Sequence, residues 1–175
     1  MKRLKISSFF LSLLFILGCS QRDPYDYEVI ADQITKQTIL QLEKEKGLIA
    51  IGTGGGMMGD IYNMGISFQY FQPLNLEESR KLLVYTVQTY LNNINSNKEV
   101  RPYLHNYPFP IKNIEIRIWG RQPNGDILPP NQLGYICALD GVLSYESSKS
   151  GKFEPRKILL EETYEEALKI VEENP

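Results

Sequence analysis

The stretch Ile114-Glu115-Ile116-Arg117-Ile118-Trp119 decides the fold class of this chain. Isoleucine occupies every second position, and a period of two places the isoleucines on one face of a β-strand. A sheet with one apolar face must bury that face against another layer. The sequence outside 114–119 should therefore supply helices with an apolar stripe, and Asn124-Gly125 beyond it indicates a hairpin-type turn.

The N-terminal side of this strand predicts two helices and two further strands. Residues 27–46 have apolar side chains on one stripe of period near 3.6 and precede Gly47, which is typical of an amphipathic helix with a glycine stop. Residues 48–51 and 64–72 are strand-like and are separated by a glycine-rich segment, 52–59. Asn75, with Glu78 three residues later, predicts the start of a second helix.

The C-terminal side predicts more strands and a last helix. Residues 134–147 form one long or two short strands around Asp140-Gly141, and residues 157–160 are a possible addition. Thr163 with Glu166 is typical of a capped helix start. We therefore predict an α+β fold, an antiparallel sheet with helices packed on one face, in the order α-β-β-α-β-β and then a C-terminal helix.

Charge and cysteine content exclude several classes of protein. Nineteen basic and 21 acidic residues give a net charge of −2, which argues against nucleic-acid binding. The chain has two cysteines, Cys19 and Cys137. Cys137 lies in an apolar run, so we expect a buried, poorly reactive thiol there.

The N-terminus has the layout of an export signal. Three basic residues among the first five precede an apolar run over residues 6–17, which is too short for a permanent membrane span. Ile16-Leu17-Gly18-Cys19 resembles the lipobox of bacterial lipoproteins. The alternative is an ordinary secreted protein that is cleaved elsewhere, but no A-x-A-like site precedes Cys19.

The resemblance to bacterial lipoproteins implies a processed and acylated chain. Cleavage would remove the signal peptide, residues 1–18, and Cys19 would carry a diacylglyceryl group and often an amide-linked fatty acid such as palmitate. Residues 19–26 would then be a lipidated tether and residues 27–175 a single α+β domain. Removing a segment with three basic and no acidic residues changes the net charge from −2 to −5.

The same resemblance implies a location in the cell envelope. Lipid chains at Cys19 would anchor the protein to a membrane outside the cytoplasm. Ser20, where aspartate would favour retention at the inner membrane, resembles the outer-membrane sorting signal of cells with two membranes. Residues 76–120, with the segment 101–109, are similar to small bacterial envelope proteins, and this similarity implies no activity.

The glycine-rich segment, 52–59, and an aromatic segment, residues 103–109, are the candidate interaction surface. Residues 54–59 match the spacing G-x-G-x-x-G formally, but strand-like residues follow where a nucleotide site needs a helix, so we predict no nucleotide cofactor. A sharp turn or glycine-rich bulge is expected instead, or a flexible loop that a partner approaches closely. The candidate residues are Gly54, Gly55, Gly56, Tyr103, His105 and Tyr107.

Two functions remain open from the sequence. His105 is the single histidine of the chain. A histidine in an aromatic loop packs or hydrogen-bonds more often than it catalyses. We also predict no metal site. The favoured interpretation is a membrane-anchored, non-enzymatic lipoprotein with a binding or structural role, whose partner is an envelope protein or a cell-wall polymer. The alternative is a small envelope hydrolase that uses a carboxylate pair. Its candidate acids are Asp60, Glu115, Asp126 and Asp140.

Overall fold

A computed structural model describes residues 26–149, 151 and 154–174. Cys19, the predicted signal peptide and all of the predicted tether except Asp26 lie outside the described residues. The helices are α1 (Asp26–Lys46), α2 (Leu76–Ser96) and α3 (Tyr164–Glu173). The strands are β1 (Ile49–Met57), β2 (Ile61–Tyr70), β3 (Ile114–Gly120), β4 (Leu133–Leu139), β5 (Val142–Ser147) and β6 (Ile158–Thr163).

The strands form one sheet in which each strand pairs with its neighbours in chain order, from β1 to β6. The three helices lie side by side, since α2 contacts both α1 and α3. Contacts of α1 with β1, of α2 with β3 and β4, and of α3 with β5 and β6 place this helix layer over one face of the sheet. The α+β class is thus confirmed.

The prediction of a wholly antiparallel sheet is wrong at one pair of strands. β2 and β3 run parallel, from Met64 opposite Ile114 to Tyr70 opposite Gly120, while the other four pairings are antiparallel. The reason is the connection, because α2 carries the chain from the end of β2 back to the end of the sheet where β2 began. A crossover of this kind is what joins parallel strands.

The predicted element order is also wrong, because four strands follow α2 instead of two. Asp140 and Gly141 both have positive φ angles, 50° and 80°, which suits a tight hairpin turn and divides the predicted segment into β4 and β5. β6 then pairs with β5 at the sheet edge. The observed order is α-β-β-α-β-β-β-β-α.

β3 supplies the centre of the core. Ile114, Ile116 and Ile118 are fully buried, whereas the alternate residues Glu115, Arg117 and Trp119 are partly exposed on the opposite face. Apolar residues of α2 such as Leu83 and Val87, both fully buried, belong to the same core cluster. The alternation in the sequence therefore matches the one-sided burial of this strand.

The predicted helix starts match the structure. Asn75 accepts a hydrogen bond from the Glu78 amide at 2.9 Å and caps α2. Thr163 and Glu166 form a reciprocal capping box at the start of α3. None of the helices in the described ranges is long and apolar enough to cross a membrane.

Candidate functional site

The glycine-rich segment forms most of an edge strand. Gly54, Gly55 and Gly56 lie inside β1 and pair with β2, so the expectation of a turn or loop across residues 52–59 is wrong for them. The turn is confined to residues 58–60. The bulge alternative is partly right, because the pairing register shifts between Ala50 and Gly52 and again between Gly56 and Met57.

Close approach by Asn63 explains two of these glycines. A Cβ atom on Gly55 would lie 2.7 Å from the Asn63 backbone oxygen, and one on Gly56 would lie 2.8 Å from Asn63 Oδ1. A larger residue at Gly55 would push β1 away from β2, whereas one at Gly56 would require the Asn63 side chain to move. At Gly54 a Cβ would meet nothing within 4 Å, so this position tolerates a side chain.

The outer edge of β1 is exposed and carries no charge. Among the described residues, β1 pairs with β2 alone, and none of its nine residues is charged or is proline. The run 52–56 is exposed except for Gly56, which is partly buried. Natural edge strands usually carry lysine, proline or inward-pointing charges that prevent pairing with another chain. The opposite edge, β6, contains Glu161 and Glu162.

The aromatic segment lies at the start of β2. Leu104 forms an isolated bridge with Ile61, and the His105 amide donates to the Ile61 carbonyl at 3.1 Å. Asn95 of α2 holds the other end of the segment, because its side-chain amide group makes hydrogen bonds with both the N–H and the carbonyl of Phe109. The segment is therefore fixed against both the sheet and the helix layer.

The structure brings the aromatic segment against the β1–β2 turn. His105 Nδ1 lies 3.3 Å from Asp60 Oδ2, and its ring centroid lies 4.3 Å from that of Tyr62. The Gly59 amide donates to the Tyr27 hydroxyl at 3.3 Å, and Tyr27 in turn packs on Tyr103. These contacts hold the aromatic segment against the turn that joins β1 to β2. The aromatic segment therefore lies beside the C-terminal end of β1.

The three aromatic-segment candidates differ in burial. Tyr103 is partly buried, packs against the core cluster and has its ring centroid 5.6 Å from that of Tyr27. Tyr107 is 49% exposed, with the Arg101 guanidinium 4.4 Å above its ring. His105 is exposed. Tyr107 and His105 are therefore accessible to a partner, while much of Tyr103 serves the fold.

The four candidate acids of the hydrolase interpretation have separate surroundings. Glu115 forms an ion pair with Arg117 at 2.9 Å and accepts from Asn63 at 3.1 Å. Asp126 bonds with Asn124 in the β3–β4 connection, Asp140 lies in the β4–β5 turn, and Asp60 faces His105. No hydrogen bond or ion pair between described residues joins two of these acids. Within the same ranges, no cluster of three or more histidine, cysteine, aspartate or glutamate residues is placed to hold a metal ion.

Sequence reasoning missed an aromatic cluster on the sheet face away from the helices. Trp119 of β3 and Tyr135 of β4 are cross-strand partners with ring centroids 4.6 Å apart. The Arg156 guanidinium lies 4.4 Å and 4.5 Å from their ring centroids. The alternation over residues 114–119 predicts that Trp119 lies on the face of β3 opposite the isoleucines. Arg156 lies in an irregular segment, and no sequence pattern predicts its contact with the two rings.

Cys137 lies on the same face of β4 as Tyr135, and its thiol is buried. Burial raises the pKa of the Cys137 thiol, and the nearby Tyr135 hydroxyl only partly opposes this effect. A thiol with a raised pKa is largely neutral near pH 7 and hence a weak nucleophile. The expectation of a buried thiol is confirmed.

No protein-family model, curated protein or solved structure matches this chain.

Replacing the two tyrosines separately should distinguish fold from surface. We expect Tyr103→Ala to lower the free energy of unfolding by about 1–3 kcal/mol, because a half-buried ring leaves the core. Tyr107→Ala should cost less than about 1 kcal/mol, the worth of an exposed cation–π contact. Urea denaturation monitored by circular dichroism measures both. Equal losses would contradict this assignment of the two rings.

Proposed function

We propose that this chain is a membrane-anchored lipoprotein of the bacterial cell envelope, whose folded domain binds another protein without catalysing a reaction. The observation that carries the binding role is the uncharged outer edge of β1, which no other described strand pairs with. The anchor at Cys19 rests on the lipobox-like sequence alone, and Ser20 favours the outer membrane where the cell has two membranes.

Strand addition is the binding mode that suits such an edge. The outermost strand of a sheet has a row of backbone N–H and C=O groups without partners in the sheet, and an extended segment of another chain can satisfy them. Glycines at 54–56 leave no side chains to obstruct that approach. Main-chain hydrogen bonds would supply the affinity, and His105, which faces Asp60 in the β1–β2 turn, could add a side-chain contact near the end of β1.

An extended protein segment fits this edge better than a cell-wall polymer. A glycan cannot continue the hydrogen-bond ladder of a sheet, whereas a peptide does so with every second residue. The carboxylate-pair hydrolase stays a prediction, and the separate surroundings of its candidate acids do not favour it.

The lipid anchor is testable at one residue. Cys19→Ala should abolish incorporation of labelled palmitate in growing cells, because the sulfur that accepts the lipid is lost. Cys137→Ala is the matched control and should leave the label unchanged, since that thiol is buried. Full labelling of the Cys19→Ala protein would disprove the anchor assignment.

The edge of β1 is testable by crosslinking in the native envelope. A photoreactive residue at position 53 should form a discrete crosslinked product, whereas one at Leu159, which is similarly exposed on β6, should not. Adding Gly54→Lys to the protein with the photoreactive residue at position 53 should reduce the crosslinked product by about fivefold. An edge lysine opposes strand pairing, and the loss of about 1 kcal/mol of binding free energy, the net worth of one hydrogen bond, corresponds to this factor.

Gly54→Ala is the control, since it adds a side chain without charge where a Cβ meets open space. It should keep most of the crosslinked product. Thermal midpoints of the Lys and Ala variants should both stay close to that of the parent protein. Equal product from positions 53 and 159, or no loss with Gly54→Lys, would overturn strand addition at β1. The mass of the product tells whether the partner is a second copy or another protein.

A further inference from the structure

A groove lies at the opposite end of β2 and β3 from the aromatic segment. It follows the end of β3, the β3–β4 connection and the segment that leads into β6, and its cavity volume is about 720 Å³. Cavities of a few hundred to a thousand Å³ are typical of sites for small molecules. The Arg121 amide, bonded to the Tyr70 carbonyl at 2.8 Å, fixes the floor of the groove to the end of β2.

One wall of the groove is apolar and open to solvent. Ile127, Leu128, Pro129 and Pro130 follow one another along the β3–β4 connection, and Ile127 is 62% exposed. The Ser148 hydroxyl donates to the Leu128 carbonyl at 2.7 Å and ties this connection to the end of β5. An exposed apolar run on a connection that is held in place offers a preformed surface for an apolar group.

The remaining lining is cationic. Arg121, Lys149 and Arg156 line the groove, and none of its described lining residues is aspartate or glutamate. Two carboxylates lie just behind this lining, Glu146 beside Arg156 and Glu154 beside Gly151. No ion pair joins Arg121 or Lys149 to another described residue. In a chain with a net charge of −2, three basic side chains around one cavity form a local region of positive charge.

Arg156 is already oriented for binding an anion. Its guanidinium is stacked on Trp119 and Tyr135, which limits its rotation. Arg156 forms a long ion pair with Glu146, whose Oε2 lies 3.9 Å from Nη1 and thus beyond hydrogen-bond distance, so a bound anion would share Arg156 with this carboxylate. Within the described part of the chain, no hydrogen bond uses the Arg156 guanidinium. Its planar set of N–H donors matches the two oxygens of a carboxylate or phosphate group.

We propose that this groove binds a small amphiphilic anion, a carboxylate or phosphate group carried on a short apolar body. The oxyanion contacts Arg156, with Arg121 and Lys149 adding positive charge, and the apolar body lies along Ile127 and the two prolines. Neither half of the site suffices, because exposed cations bind simple anions weakly and the apolar wall has no orienting group. The proposal is independent of the β1 edge and of the lipid anchor.

Trp119 provides the readout, because it is the single tryptophan of the chain and stacks against Arg156. The full chain, with its indole N–H isotope-labelled, is placed in lipid nanodiscs and titrated with four probes. These are hexanoate, hexyl phosphate, hexanol and inorganic phosphate. Hexanoate or hexyl phosphate should shift the indole resonance saturably. The preferred amphiphile should bind at least about tenfold more tightly than hexanol or inorganic phosphate, because charge-assisted hydrogen bonds supply a difference in affinity of this size.

The stronger of the two amphiphiles identifies the preferred headgroup. Equal binding of hexanol would show an apolar surface without anion recognition, and equal binding of inorganic phosphate would show an adventitious ion only. Either result, or no saturable shift with any probe, overturns the proposal.

Arg156→Lys keeps the charge but removes the planar donor set, and should weaken binding of the preferred amphiphile by about tenfold. Arg101→Lys is the matched control, because Arg101 also stacks on a tyrosine but lies near the start of β2, at the other end of the sheet. It should leave binding unchanged. As a second test, Arg121→Gln should weaken binding without disturbing the Trp119 stack. Wild-type affinity in both groove variants, or an equal loss with Arg101→Lys, would exclude these side chains as the anion site.

Discussion

Burial of one face of β3 beneath α2 is the constraint on which the rest of the structure depends. The three isoleucines of β3 cannot be buried by the sheet itself, so a helix layer has to cover them. α2 does so while it carries the chain from β2 to β3, which makes these two strands parallel. The same helix contacts α1 and α3, and in this way one crossover positions the whole helix layer.

A single helix layer determines which surfaces remain open. The helices cover one face of the six-stranded sheet, so the opposite face keeps the partly exposed residues Glu115, Arg117 and Trp119. The sheet does not close, so its two outer strands keep an unpaired edge within the described residues. The cationic groove lies outside the region that the helix layer covers. By contrast, α1 packs beside the glycine run of β1, and α2 holds one end of the aromatic segment.

Much of the fold could be predicted because its signals are local. Alternation at 114–119, the Asn75–Glu78 cap and the Thr163–Glu166 capping box depend on residues a few positions apart, and all three match the structure. The parallel pairing of β2 with β3 depends on where α2 takes the chain. No local pattern encodes that direction, and two strands connected through a helix can be parallel or antiparallel.

The candidate surfaces show the same division between local and long-range signals. The aromatic segment is recognisable as a run of rings, but the burial that separates Tyr103 from Tyr107 depends on Tyr27, far away in the sequence. Glycines were expected to form a turn because their own conformations are permissive. Their strand conformation depends instead on pairing with β2 and on the approach of Asn63. The groove joins residues from three separate segments, so composition alone does not reveal it.

The central claim is that the edge of β1 is available for strand pairing, and amide hydrogen exchange of the full chain in lipid nanodiscs tests it most directly. Within residues 52–56, amides that point towards β2 should exchange slowly, and those that point outwards should exchange nearly as fast as loop amides. This alternation along one strand is the signature of a free edge. Uniformly slow exchange across residues 52–56 would show that another segment or a second copy already covers β1, and would contradict the account.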